Sequence, residues 1–131
     1  MADETNQERL IRRYFDWIEY ARNGFQPGLT SDDLTDAFQE IAVDMARDDP
    51  EALWPIIVRM VAEAPDERHL GSIGAAPLEN LLWFHGPEFV DRIEAATVAD
   101  TRFRRALSYV DGWGTSITSS VTERLRPYLG A

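Results

Sequence analysis

SDDLTDAFQEIAVDMARDDPEALWPIIVRMVAEA, residues 31–64, decides the class of fold. Leu34, Ala37, Phe38, Ile41, Ala42 and Met45 recur at three- and four-residue spacing without a gap, the period of one face of an α-helix. Thr30 or Ser31 caps the helix start, and Asp32 and Asp33 suit the positive end of its dipole. Asp48-Asp49-Pro50 closes this helix and opens another, with Pro50 at the first helical position. Leu53, Trp54, Ile56, Ile57, Met60, Val61 and Ala64 then form a broad apolar face. Pro55 falls far enough in to remove a backbone bond, so the helix either kinks there or has its main start near Trp54.

The same period extends outward in both directions. Leu10, Ile11, Tyr14, Phe15, Ile18, Ala21 and Phe25 share one face of a helix expected over residues 5–23, closed by Asn23-Gly24 and followed by a turn at Gln26-Pro27-Gly28. Downstream, Pro87 opens a helix carrying Phe89, Val90, Ile93, Ala96 and Thr97. Asp100 caps a short one carrying Phe103, Ala106, Leu107 and Val110. Asp111-Gly112-Trp113-Gly114 is a break, and Ile117, Val121, Leu125 and Leu129 mark a thin last helix. No segment alternates with the period of a strand. The expectation is one all-α domain over residues 1–131, of six to seven short amphipathic helices packed as antiparallel pairs. These form either an α-solenoid-like (HEAT-like) stack or an irregular bundle. No fixed repeat period supports a true array.

Composition narrows the function. With 44% apolar residues and no apolar run near membrane-spanning length, the chain reads as a globular domain. Its polar, acidic start MADETNQER has none of the features of a signal peptide, so a cytoplasmic location is expected. Cysteine is absent, which removes disulfides, thiol nucleophiles and cysteine-based metal sites. A net charge of −10 repels phosphates and disfavours nucleic acid, while it suits a basic partner.

Residues 69–89, HLGSIGAAPLENLLWFHGPEF, hold both histidines. Gly71-Ser72-Ile73-Gly74 reads as a loop, Ala76 as an N-cap, Pro77 as the first helical residue and Gly86 as the left-handed stop. Between them, Leu78, Leu81, Leu82, Trp83 and Phe84 leave only Glu79 and Asn80 off the apolar surface, which predicts a central, buried helix. Glu79 sits where a carboxylate meets a helix N-terminus, and Arg102 or Arg105 is its expected partner. His85 at the helix end suits backbone carbonyls and the negative end of the dipole. A lone histidine with one distant glutamate falls short of a three-ligand site, and the His69–His85 spacing matches no zinc pattern, so no metal and no cofactor is expected. Gly71–Gly74 is not a phosphate-binding loop of the strand–glycine–lysine type.

The run from Gly71 through Gly86, with the core Ile73-Gly74-Ala75-x-Pro77-Leu78-Glu79-x-Leu81-Leu82-x-x-His85-Gly86, resembles the signature of a small bacterial family of unassigned function. Asp100-x-Arg102-Phe103-Arg104-x-x-Leu107, Trp113-Gly114 and Pro50-Glu51-x-x-Trp54 extend the likeness over about residues 35–114. The resemblance implies a bacterial, all-helical domain and brings no activity with it. It makes Glu79, His85 and Trp113 positions to test.

Three functions compete. An acidic protein-interaction module, immunity- or antitoxin-like, fits the small size, the charge and the lack of a catalytic constellation, with Tyr20 and Trp113 as exposed anchors. A small-ligand binder or hydrolytic enzyme would gather Glu79, His85, Arg102 and Trp83 around a pocket. A self-associating domain would dimerise through apolar positions of the last helix. The first is the expectation, with Glu79, His85, Trp83, Arg102, Arg105 and Trp113 as its binding residues and no catalytic residue.

Overall fold

The computed structural model describes residues 5–22 and 31–129, with side chains omitted for residue 22 and residues 31–34. The expected features at Asn23-Gly24, Phe25, Gln26-Pro27-Gly28 and Thr30, and the side chains of Ser31, Asp32, Asp33 and Leu34, lie outside what is described. The chain is all-helical: α1 (Asn6–Arg22), α2 (Ser31–Gln39), α3 (Met45–Asp48), α4 (Pro50–Glu63), α5 (Glu67–Ile73), α6 (Glu79–Ala99), α7 (Thr101–Leu107) and α8 (Ser119–Leu125). No strand forms among the described residues; a single isolated bridge joins Trp113 to Ile117.

Local chemistry sets most of the boundaries. Thr5 accepts the Glu8 amide at 3.0 Å, capping α1, and donates its hydroxyl to the Glu8 carboxylate at 3.1 Å. Pro50 occupies the first turn of α4 as expected. Asp100 is extended and its side chain accepts the Arg102 amide at 2.9 Å, capping α7. Pro55 does not end α4, which runs on to Glu63. It lies on the exposed face, where the carbonyl it leaves unbonded is open to water.

The signature stretch departs from expectation. Gly71 to Gly74 is helix, not loop: α5 passes through a π turn, Gly74–Leu78, directly into α6. Ala76 is therefore no N-cap, and Pro77 lies inside the wide turn, where the regular i to i−4 bond that proline cannot make is already given up. Gly86 has no left-handed backbone; among the described glycines only Gly112 and Gly114 have positive φ, at 85° and 75°. The break falls one residue earlier, at His85 (φ −139°, ψ 29°), and bends α6 before Pro87.

A second π turn, Glu40–Asp44, joins α2 to α3. Helices α1 and α2 pack through the Trp17 and Phe38 rings, stacked 4.2 Å apart. Helix α1 also rests on α4 and α5, α3 lies against α6, α7 touches α4, α5 and α6, and α8 covers α6. These crossings make an irregular bundle around one core. Tyr14, Leu53, Met60, Leu81, Phe89, Ile93 and Phe103 lie within it. Tyr20 is buried too, at 6% exposure, so it is not an exposed anchor. Ile117, Val121 and Leu125 are buried as well, so these apolar positions of the last segment face the core.

Candidate functional site

Each polar residue singled out in the signature is held by a backbone group of a neighbouring element. Glu79 opens α6 and accepts the backbone N–H of Asp111 at 2.7 Å. It thereby fastens the break after α7 to the start of α6. Neither expected arginine is its partner. Arg102 donates to the carbonyls of Val61 at 3.1 Å and of Ala64. A helix leaves its last carbonyls without internal partners, and this guanidinium from α7 supplies the donors for α4. Arg105 pairs with Glu67 on α5, Nε to Oε1 at 2.9 Å, and Tyr109 donates to the same carboxylate at 2.8 Å. These bonds hold the Glu67 carboxyl below its usual range.

His85 binds a carbonyl at a helix C-terminus, but that of another helix: its Nε2 lies 2.8 Å from the Arg47 carbonyl oxygen in α3. Glu88 approaches Nδ1 at 3.3 Å. The Arg47 carbonyl raises the imidazole above its ordinary pKa, burial opposes this, and Glu88 adds to it. Asn80, the other polar residue of the segment, donates to the Ala42 carbonyl at 2.6 Å. His85 and Asn80 together dock the first half of α6 on the π turn and α3.

Trp83 overturns the picture of a helix buried all round. It is 54% exposed, stacked on Phe84 with ring centroids 5.0 Å apart. The faces carrying Leu81 and Leu82 are buried, and Trp83 extends on the side left to solvent. Trp113 is half-buried. Its indole N–H donates to the Val110 carbonyl at 3.0 Å, so the donor that would serve an interface anchor is used inside the molecule. The tight loop around it needs its glycines: the Ile117 amide returns to the Gly112 carbonyl at 3.0 Å, and the Gly114 amide donates to the Thr122 hydroxyl at 2.8 Å. Glu79, His85, Arg102 and Trp113 are thus committed to backbone carbonyls or amides in different parts of the fold.

His69, weighed in the sequence only for its spacing to His85, has surroundings that the sequence did not show. It lies in the first turn of α5, at 1% exposure, with Asp66 as the N-cap. Asp66 Oδ1 accepts the His69 amide at 3.0 Å and sits 2.6 Å from Nδ1 of the same ring. On the other side, Glu19 Oε1 of α1 stands 3.4 Å from Nε2. Phe15 meets the ring edge-on at 5.1 Å. Phe15 also lines a cleft of about 290 Å³ between α1 and α4, with Ile11, Arg12, Arg59 and Glu63 among its walls. The cleft's arginines are engaged by carboxylates: Arg59 by Glu63 at 2.6 Å and Arg12 by Asp16 at 3.7 Å. The spacing Asp66-x-x-His69 is a legible capping signal. Glu19 carries no such mark, because only the packing of α1 on α5 brings it there.

Residues 31–51 form a strongly acidic stretch, with eight carboxylates and one arginine. Asp36, Glu40, Asp44 and Asp48 follow at four-residue intervals along the continuous run from α2 to α3. Four residues overshoot a full α-turn, so such a row drifts around a regular helix. The π turn at 40–44 rotates less per residue and keeps the row on the exposed side. Arg47 reaches Asp44 at 3.6 Å and Asp48 at 2.9 Å. Asp36 and Glu40 have no ion-pair partner among the described residues.

The molecule is thus all-helical, and Glu79, Asn80, His85 and Arg102 join helix to helix. It belongs to a family of unknown function, DUF6869, whose sequence profile matches residues 26–129. This reaches beyond the 35–114 over which the likeness was legible. No curated protein and no solved structure matches the chain. Among the described residues no helix is long and apolar enough to cross a membrane.

Proposed function

We propose that this protein is a non-catalytic interaction module whose acidic ridge, Asp36, Glu40, Asp44 and Asp48, docks a basic protein surface. The ridge is the observation that carries the reading. Like charges four apart on a helix cost a few tenths of a kcal/mol each, and here only the C-terminal end is neutralised, by Arg47. Elsewhere arginines are consumed in ties within the fold: Arg92 with Glu51, Arg105 with Glu67, Arg124 with Asp91 and Glu94. Concentrated negative potential steers a cationic partner and fixes its orientation more than it adds affinity. Fast, salt-sensitive association follows.

The test compares wild type with the triple substitution D36N/E40Q/D44N, matched in thermal stability, as bait in extracts of the host cell. The expected result is a stoichiometric basic partner that binds at low ionic strength, leaves at high ionic strength and is lost with the triple variant. A partner held equally by both baits, or none that responds to salt, overturns the proposal.

A further inference from the structure

Trp83 is exposed at 54%, while Trp17, Trp54 and Trp113 are partly buried and packed against the core. A lone exposed apolar side chain is ordinary, but this one is held in place. Its indole lies nearly parallel to the Phe84 ring, 15° apart with centroids at 5.0 Å, and Phe84 is itself packed against the core. One face of the indole is covered by Phe84, and the ring presents the other to solvent as a fixed platform.

Glu79 stands one helical turn before Trp83. Side chains four apart share a face of α6, with Cβ atoms about 5–6 Å apart. Glu79 Oε1 accepts the Asp111 amide at 2.7 Å, which brings Asp111, an exposed residue, beside it. Asp111 Oδ1 in turn accepts the Gly112 amide at 2.9 Å. The second oxygen of each carboxylate has no hydrogen-bond or ion-pair partner among the described residues. Arg102 and Arg105 are committed elsewhere, to the carbonyls of α4 and to Glu67. An aromatic face flanked by two uncompensated carboxylates is complementary to a guanidinium. The planar cation stacks on the indole while its edge donates N–H bonds to a carboxylate. An ammonium is a compact, strongly hydrated point charge and fills only part of such a surface. We propose that Trp83, Glu79 and Asp111 form a docking surface for an arginine side chain of a protein partner. The surface lies at the start of α6, beside the loop after α7, and does not rest on the acidic ridge of α2 and α3.

A tetra-arginine peptide titrated into the isotope-labelled full chain, followed by heteronuclear NMR at about 0.15 M salt, tests the surface. The indole N–H signal missing from Trp83→Leu assigns Trp83, and the Asp111 and Gly112 amides report on the same place in every variant. In wild type these signals are expected to shift along one saturable curve. Trp83→Leu keeps an apolar side chain and removes the indole face. It is expected to weaken binding, read at the Asp111 and Gly112 amides, by about two- to fivefold. Glu79→Gln keeps an acceptor for the Asp111 amide and loses the charge, and is expected to weaken binding by a similar factor. Tetra-lysine is expected to bind more weakly than tetra-arginine. D36N/E40Q/D44N is expected to leave the curve within about twofold of wild type, because salt screens charges more than about 8 Å away. Shifts confined to residues 36–48, equal affinity for tetra-lysine, or binding unchanged in Trp83→Leu overturns the assignment. Shifts confined to residues 36–48 leave the ridge standing without this surface, and a Trp83 curve with no response at those residues leaves this surface standing without the ridge.

Discussion

Replacing Gly74 by alanine tests the packing that joins α5 and its π turn to α7. Gly74 has ordinary helical angles, φ −65° and ψ −45°, so backbone freedom is not what requires glycine there. Space is: a Cβ built on Gly74 would lie 1.9 Å from the Ala106 carbonyl oxygen and 2.9 Å from its carbon. Close C···O contacts between helices sit at about 3.3–3.6 Å, so α7 would have to retreat by roughly 1.4 Å. The obstructing atom is backbone and cannot rotate aside. Phe103, Ala106 and Leu107, all buried on α7, would lose contact with the core as it moved. Overpacking of this kind costs about 1–3 kcal/mol, and a fixed backbone places this site near the upper end. The better helix propensity of alanine returns up to about 1 kcal/mol. The expected net loss is about 2 kcal/mol, which for a chain of this size lowers the melting temperature by roughly 7 °C. Gly71→Ala is the internal control. Its Cβ meets only the ring of Tyr109, at 3.3 Å, and that half-exposed side chain can shift, so its stability is expected to stay within about 1 kcal/mol of wild type. Thermal and urea unfolding of both variants measures the difference. A Gly74→Ala protein as stable as wild type, or less affected than Gly71→Ala, refutes the close approach of α5 and α7.

Three further outcomes follow from the interhelical ties. Glu79→Ala removes the acceptor of the Asp111 amide and is expected to cost about 1–2 kcal/mol; hydrogen exchange at that amide should quicken, while Glu79→Gln, which keeps an acceptor, recovers most of the protection. Arg102→Ala strips donors from the last carbonyls of α4 and should destabilise by about 1–3 kcal/mol, with Arg102→Lys intermediate, as read from urea midpoints. For His85 the pKa is raised in the folded state by the Arg47 carbonyl, so its contribution is complete below the unfolded value of about 6.5 and fades as pH rises through the folded one. The melting-temperature difference between wild type and His85→Gln is therefore expected to be larger at about pH 5.5 than at about pH 8; a difference independent of pH would show that His85 does not hold that carbonyl as a cation.

Residues that carry their own local signal are legible in the amino-acid sequence. Pro50 and Asp100 mark helix starts, Gly112 and Gly114 mark a turn, and the apolar stripes of α1, α4 and α7 predict which faces enter the core. Each is set by a side chain acting on its own turn or by the period of a helix, information that lies within a few residues. The signature stretch misleads for the opposite reason. Gly74 and Gly86 resemble helix punctuation, yet they sit in helix, the first because a carbonyl of α7 lies where its Cβ would be and the second because the side chain of Val121 comes against it. The partners of Glu79, Arg102 and His85 are backbone groups of distant elements, and a backbone carbonyl or amide looks the same at every position of a sequence. Residue identities suggest an arginine or its own helix N-terminus for Glu79, and not the amide of Asp111 that it meets. His69 combines both cases, with Asp66 readable from capping and Glu19 invisible until α1 is laid against α5. Helix, charge and core membership are thus written along the chain itself, because they depend on local bonding and on period. Which groups meet across helices is set by packing, because it depends on where separately formed helices come to rest when their apolar faces share one core.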